Sequence, residues 1–388
     1  MEGHTGLWGE EMTAADYLLD LIRIRSVSAS SNRAVVDYAR NVLHQAGWST
    51  RELAYVDANA VEKVNLIAAP PRQDVSAQSV DLAFVCHTDT VPFSSSWEGA
   101  LEPFADEEHI YGCGACDVKG FLACLLQAAA LQPHGDWAEG LRIVLTADEE
   151  IGCVGARHLL AQDTIRPRRL VVGEPTSLHA ARAGKGYCLS EVVVQGIEAH
   201  SAHPEQGASA IFAASRMIRS IEELAVQLRE QTHDLFHPAY TTVNVGTVEG
   251  GTAKNIIAGE CRFLVEWRPV PGLDPEFIPA ALQSYAEALQ QRDSRIRCTI
   301  HSLRQQAGFE TAEISTLVQT LVEKTGQAPA SIPFGSEASV FAPIAEETVV
   351  FGPGDMQTAH SDRERVPVAE LEKAAAVLKS LMFPKNRV

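Results

Sequence analysis

Short apolar runs that stop at clusters of acids and histidines constrain this chain more than any other feature. Val80 to Cys86 ends at His87-Thr88-Asp89, Leu141 to Ala147 at Asp148-Glu149-Glu150, and Leu170 to Val172 at Gly173-Glu174-Pro175. Thr348 to Phe351 is followed shortly by Thr358-Ala359-His360. Asp117 stands in a glycine-rich loop, Gly112 to Gly120, ahead of an apolar helical stretch. Strands alternating with helices give an α/β fold with a mostly parallel sheet flanked by helices. The carboxyl ends of parallel strands share one edge, where ligand crevices form. Clusters far apart in sequence then meet in space. Two imidazoles and several carboxylates brought together repel one another unless cations lie between them, so the pattern predicts a metal site.

The periodicity predicts helical structure over Met12 to Trp48, through Leu18, Leu19, Ile22, Val35, Val36, Ala39, Val42 and Leu43, with Gly47 as its stop. A strand near Val64 to Ala68 and the strand into His87 follow. Next come a helix from Lys119 to Leu131, the strand into Asp148, a helix from Val154 to Ala161 and the strand into Glu174. After Gly184 the pattern changes. Tyr187 to Val194, Thr241 to Val248, Ile257 to Trp267 and Ile296 to Leu303 read as strands, with helices over Ala208 to Leu228 and Pro275 to Gln290. That β-α-β-β-α-β order is the ferredoxin-like split unit, here about 120 residues, a normal domain size. His360 follows it, so the first domain must resume. The expectation is a discontinuous catalytic domain, 1–183 and 305–388, with an inserted α+β domain over 184–304.

The chain's 388 residues are enough for two domains and a large core. Its formal charge of -18 argues against nucleic acid and anionic membranes as partners, since both need basic patches. Bound divalent cations would balance part of that charge, and a solubilising surface explains most of it. Met1 to Glu11 has neither a basic n-region nor an apolar h-region, and no apolar run approaches membrane-spanning length. A cytoplasmic protein is therefore expected, with its eight cysteines mostly reduced. Cys113-Gly114-Ala115-Cys116 is formally a CxxC, but no second pair exists to complete a zinc knuckle.

Two metals bridged by one carboxylate need about five protein ligands, and imidazole nitrogen with carboxylate oxygen suits zinc or cobalt. His87, Asp117, Glu150, Glu174 and His360 supply that set. Asp89 projects from the same side as His87 and is placed to hold the imidazole's other N–H. Glu149 is not needed as a ligand; it is the natural general base for a water beside the metals, and can later protonate the leaving amine. Singly, each residue has an ordinary explanation. A lone histidine is usually a core or surface residue, Glu149-Glu150 suits a helix N-terminus, and Glu174-Pro175 suits a turn. Their joint placement at the ends of apolar runs is not ordinary.

The motifs CHTDTVP (86–92), YGCGACDVKG (111–120), TADEEIGCVGA (146–156) and VVGEPT (171–176) hold these residues. GIEAHSAHPEQGASAI (196–211), GGTAKNIIAGEC (250–261), EWRPVPG (266–272) and FGPGDMQTAH (351–360) continue the series along almost the whole chain. On these motifs the chain resembles the dinuclear zinc aminoacylase and carboxypeptidase family, peptidase family M20, and within it the acetylornithine deacetylase and succinyl-diaminopimelate desuccinylase group. The resemblance implies that His87 and Glu174 hold one metal and Glu150 and His360 the other, with Asp117 bridging and Glu149 as the base. It implies a cis peptide bond after Asp117, and two divalent ions, zinc foremost, with cobalt and manganese suited to the same ligands.

The resemblance further implies that the inserted domain is a lid and dimerisation domain of a homodimer, hinged near Gly184 and Leu303. His200, preferred over His203 for its spacing to Gly207, would reach the scissile carbonyl, often from a partner subunit, and help stabilise the oxyanion. Asn255 and Arg268 would hold the substrate's carboxylate. An exposed strand-end arginine and a plain turn at Gly250-Gly251 are the ordinary readings of that region. KVNLIA (63–68) and GPGDMQTAH (352–360) resemble acetylornithine deacetylases, implying hydrolysis of N-acetyl-L-ornithine to L-ornithine and acetate in arginine biosynthesis. N-acetylcitrulline, N-succinyl-diaminopimelate and a dipeptide are the alternative small-molecule substrates. A non-catalytic metal-binding relative is the rival of another class, and the retained Glu149 argues against it. Cys113 stands where the family usually has arginine, Val118 where methionine or aspartate is usual, and Ser209 where asparagine is common.

Overall fold

The structure, a computed structural model, describes residues 12–130, 136–162 and 164–384. The readings made of Met1 to Glu11 and of Leu131 fall outside these residues. The chain divides into two compact units. Among the described residues, one holds everything up to Arg182, with Thr311–Ala330 and all from Ser336 onward; the other holds Ala183–Glu310 and Ser331–Gly335. The second crossing lies a few residues beyond the expected 304/305, because the strand Arg297–Gln306 stays paired with Tyr187–Gln195 as far as Gln306.

In the first unit the parallel strands Leu141–Thr146, Ser79–His87, Arg166–Gly173 and Glu347–Phe351 lie side by side in that order. They are buried almost throughout, as parallel strands covered on both faces must be. His87 lies opposite Thr146, Val85 opposite Val172 and Phe351 opposite Gly173, so the four strands end almost level. The helix Lys119–Ala130 is buried along nearly its whole length. Gly173 is required where this helix meets the sheet: a Cβ there would lie 2.1 Å from the Phe121 ring.

One expectation needed correction, and one strand was not foreseen. The stretch expected as helix from Met12 to Trp48 is two helices, Ala14–Arg23 and Arg33–Gln45. Between them the serine-rich run Ser26 to Ser31 leaves the helix; Val27 bridges Thr90, and the Ser28 N–H donates to the Thr90 carbonyl at 3.1 Å. Serine side chains compete with helical backbone bonds, which favours this break. The strand expected at Val64 to Ala68 is Glu62–Ala69, and it is one arm of a hairpin with Ser49–Val56 that extends the sheet antiparallel beside Leu141–Thr146. Only Leu53 of the outer arm is buried, so its polar sequence carries no strand signal.

The second unit is a four-stranded antiparallel sheet in the order Thr242–Gly250, Glu260–Arg268, Tyr187–Gln195, Arg297–Gln306. Burial alternates along Tyr187–Gln195, the mark of a sheet covered on one face. The cover is Ala210–Leu228 and Phe277–Arg292, which pack Met217, Ile221 and Leu282 with Phe263 and Trp267. This is the ferredoxin-like arrangement that the element order implied. No helix among the described residues is long and apolar enough to cross a membrane. All eight cysteines are free thiols.

Candidate metal centre

The level strand ends deliver the acids and imidazoles to one place in the first unit. His87 is the last residue of its strand, and Glu174 directly follows Gly173. Asp148 to Glu150 follow Leu141–Thr146, and His360 stands on the loop after Glu347–Phe351 with φ of 56°. Asp117 lies between the two imidazoles. Its Oδ1 is 3.1 Å from His87 Nε2, and its Oδ2 is 3.0 Å from His360 Nε2. His360 Nε2 is also 3.3 Å from Glu150 Oε1. One ligand atom each from His87, Asp117 and Glu150 lies within 4.8 Å of the others, so donors from three distant stretches of the chain converge. The Asp117–Val118 peptide bond is cis.

The electrostatics of this cluster call for cations. Burial, then the nearby Asp117 carboxylate, pushes the Glu150 and Glu174 carboxyls up. Burial, with Glu150, Asp89 and Asp117 close by, lifts Glu149 to about 7 against the pull of His87. Burial also acts upward on Asp117, but hydrogen bonds from His360 and His87 outweigh it and hold that carboxyl low. Hydrogen bonds to Asp117 and then Glu150 lift His360 to about 10. A crowd of mutually repelling buried acids and two imidazoles form a donor set that divalent transition-metal ions fit.

Asp89 reaches this centre by a different contact from the expected one. His87 Nδ1 lies 3.0 Å from the Asp89 main-chain oxygen and 3.6 Å from its carboxylate. A carbonyl can only accept, so Nδ1 carries the proton and Nε2 is left to face Asp117. The Asp89 carboxylate instead accepts the Ser28 hydroxyl at 2.7 Å and the backbone N–H groups of Glu149 and Glu150 at 3.0 and 3.3 Å. It fixes the main chain of the acidic pair, using a serine from the break between the first two helices.

Several buried charged residues around the cluster escaped sequence reasoning. Lys63 Nζ donates to Asp148 Oδ1 at 2.7 Å and the Tyr55 hydroxyl to Oδ2 at 2.8 Å. These bonds pin Asp148, whose φ of 57° turns the chain into Glu149. Glu337 is fully buried; one oxygen accepts the Thr146 hydroxyl at 2.9 Å and the other has no hydrogen bond. Burial lifts its carboxyl to about 8, with Glu149 adding to the shift and His87 opposing it. Glu364 accepts backbone N–H groups from the Asp117 loop. No local pattern marks these residues. Lys63 lies in the KVNLIA motif and Glu364 four residues past His360, but their burial is a tertiary fact.

The remaining site residues belong to the second unit. His200 bridges Ile256, and the Ser201 N–H donates to the Asn255 carbonyl at 3.0 Å, so His200 and Asn255 are neighbours. His200 Nδ1 accepts the Ala202 N–H at 3.1 Å, and the His203 ring lies 6.2 Å from that of His200. Arg268 ends its strand with its guanidinium 3.7 Å from the centre of the Tyr187 ring, and its Nε donates to Glu266 at 2.6 Å.

Residues 83–383 match the signature of Peptidase family M20/M25/M40. An acetylornithine deacetylase of Myxococcus xanthus is 42% identical over 362 residues, 93% of this chain and 94% of that one. Another acetylornithine deacetylase, from Pectobacterium carotovorum, is 31% identical over 88% of this chain and 90% of its own. Among solved structures, a Staphylococcus aureus tripeptidase superposes with a TM-score of 0.74 at 20% identity, covering 96% of this chain and 98% of that one. A metallo-carboxypeptidase of Sulfolobus solfataricus superposes with a TM-score of 0.71 at 18% identity, over 95% and 98% of the two chains. The chain belongs to peptidase family M20/M25/M40 and is an amide-bond hydrolase.

Proposed function

We propose that this hydrolase deacylates a small N-acyl amino acid at a two-metal centre, and that its substrate is N-acetyl-L-ornithine, released as L-ornithine and acetate. The observation that carries the chemistry is Asp117 held between His87 and His360, with Glu149 buried beside them. The substrate rests on the relatives named acetylornithine deacetylase. His87 and Glu174 would hold one ion and Glu150 and His360 the other, with Asp117 touching both. Two divalent ions bound there, zinc foremost and cobalt or manganese with the same ligands, would polarise the acyl carbonyl and acidify the attacking water.

Glu149 then takes a proton from that water and returns it to the departing nitrogen. Its carboxyl is buried beside the cluster, where it can accept that proton and later give it up. His200 Nδ1 already accepts an N–H, so in the neutral ring the proton sits on Nε2, the atom free to donate to a developing oxyanion. Arg268, stacked on Tyr187, and Asn255 suit the substrate's carboxylate. Eight free thiols suit a cytoplasmic enzyme. Purified protein is expected to turn over N-acetyl-L-ornithine with a higher kcat/KM than N-acetylcitrulline, N-succinyl-diaminopimelate or dipeptides. Faster turnover of any of those would displace the substrate assignment.

A homodimer in which His200 serves the neighbouring subunit's centre makes a separate prediction. Glu149→Ala and His200→Ala proteins, each inactive alone, are expected to regain activity when mixed and allowed to exchange subunits. Random exchange makes half the dimers mixed, each with one intact site, so about a quarter of wild-type activity is the ceiling. No recovery, with exchange verified by mass, would confine His200 to its own subunit or remove it from the reaction.

A further inference from the structure

We infer that Glu364 is a positioning residue of the metal centre, its carboxylate clamping the main chain of the loop that presents Asp117. The inference rests on the reading of the cluster as a metal site. Glu364 is buried, and Oε1 accepts the N–H groups of Cys116 and Asp117, both at 3.1 Å. Oε2 accepts the Gly114 N–H at 3.1 Å, and the Glu364 carbonyl accepts the Gly112 N–H at 3.2 Å. One residue therefore satisfies four backbone donors within six consecutive residues of the loop. The loop is neither helix nor strand, with Gly112 and Gly114 at φ of 149° and 82°, so these buried donors have no ladder to join. Its carboxylate offers two oxygens to these N–H groups, whose bonds favour the ionised form against burial and the nearby Asp117.

The clamp joins two ligands. Glu364 lies four residues beyond His360, and the Glu364 N–H closes a turn onto the Ser361 carbonyl at 3.1 Å. The segment that carries His360 thus also fixes the backbone of Asp117, and those two side chains meet at 3.0 Å. A displacement of either loop is transmitted to the other. Asp89 does the same for Glu149 and Glu150, so each half of the cluster has a buried carboxylate that fixes main chain and leaves side chains free for ions.

The test is cobalt(II) titration of metal-free wild-type, Glu364→Gln and Glu364→Asp proteins, followed by visible absorption and calorimetry. Glutamine keeps the shape but turns an N–H₂ group toward N–H donors. It is expected to weaken cobalt binding by about 10–100-fold, the usual effect of disturbing a ligand's support, and to alter the visible bands. Aspartate keeps the charge one methylene short and is expected to recover part of the affinity. A folded Glu364→Gln protein with wild-type affinity and spectrum would overturn the inference. If glutamine prevents folding, wild-type bands and affinity in Glu364→Asp would overturn it equally. Wild-type protein that takes up no cobalt would instead sink the metal reading, and the inference with it.

Discussion

Glu149→Ala is expected to keep both ions and to lose turnover by about 10²–10⁴-fold, the range typical of general acid–base catalysis. The carboxylate is buried within the cluster, yet His87, Asp117 and Glu150 come together without it. The Cys153 thiol donates to its Oε1 at 3.3 Å. Alanine therefore removes a proton carrier from a ligand set that stays intact. Steady-state kinetics with elemental analysis of the same preparation decide the matter. If the ions leave with the side chain, Glu149 is a ligand and its assigned role is wrong.

Stripping the ions with a chelator is expected to abolish turnover and lower the unfolding temperature, and zinc, cobalt or manganese should restore both. Without cations, burial and neighbouring carboxylates push Glu149, Glu150 and Glu174 up together, a sign of stored repulsion. Ions that bind the folded chain and not the unfolded one add about 2.7 kcal/mol of stability per site at a free concentration 100-fold above Kd. Scanning calorimetry before and after dialysis reads this change. Full activity in protein that elemental analysis finds free of transition metal would refute the two-metal chemistry.

The meeting of these residues was legible in the sequence because parallel strands are continuous apolar runs, and the polar residues that end them must lie on one edge. His87, Glu150, Glu174 and, on a longer loop, His360 could be placed by that rule. The β-α-β-β-α-β unit was legible from element order. The arm Ser49–Val56 was not, since a sheet-edge strand with one buried residue has the polarity of a loop. Lys63, Glu337 and Glu364 were not marked either. Charged residues are read as surface until the fold buries them, and only coordinates supply their partners. Asp89 shows the finer limit: spacing put it beside His87, but only geometry revealed that its carbonyl meets the ring while its carboxylate serves the acidic pair.

The split of the first unit around the second has a consequence for synthesis. The strand Glu347–Phe351 and the ligand His360 are translated after all of Ala183–Glu310. A nascent chain can therefore complete the ferredoxin-like module while the larger sheet still lacks its fourth parallel strand, with the flank of Arg166–Gly173 that will receive it unpaired. Domains tend to mature as units at the pace of elongation, and pairings between distant segments form slowly. Nascent molecules thus pass through an interval with an open, aggregation-prone flank that closes only when the C-terminal segment leaves the ribosome, which makes late elongation the stage where chaperone capture matters most for this enzyme.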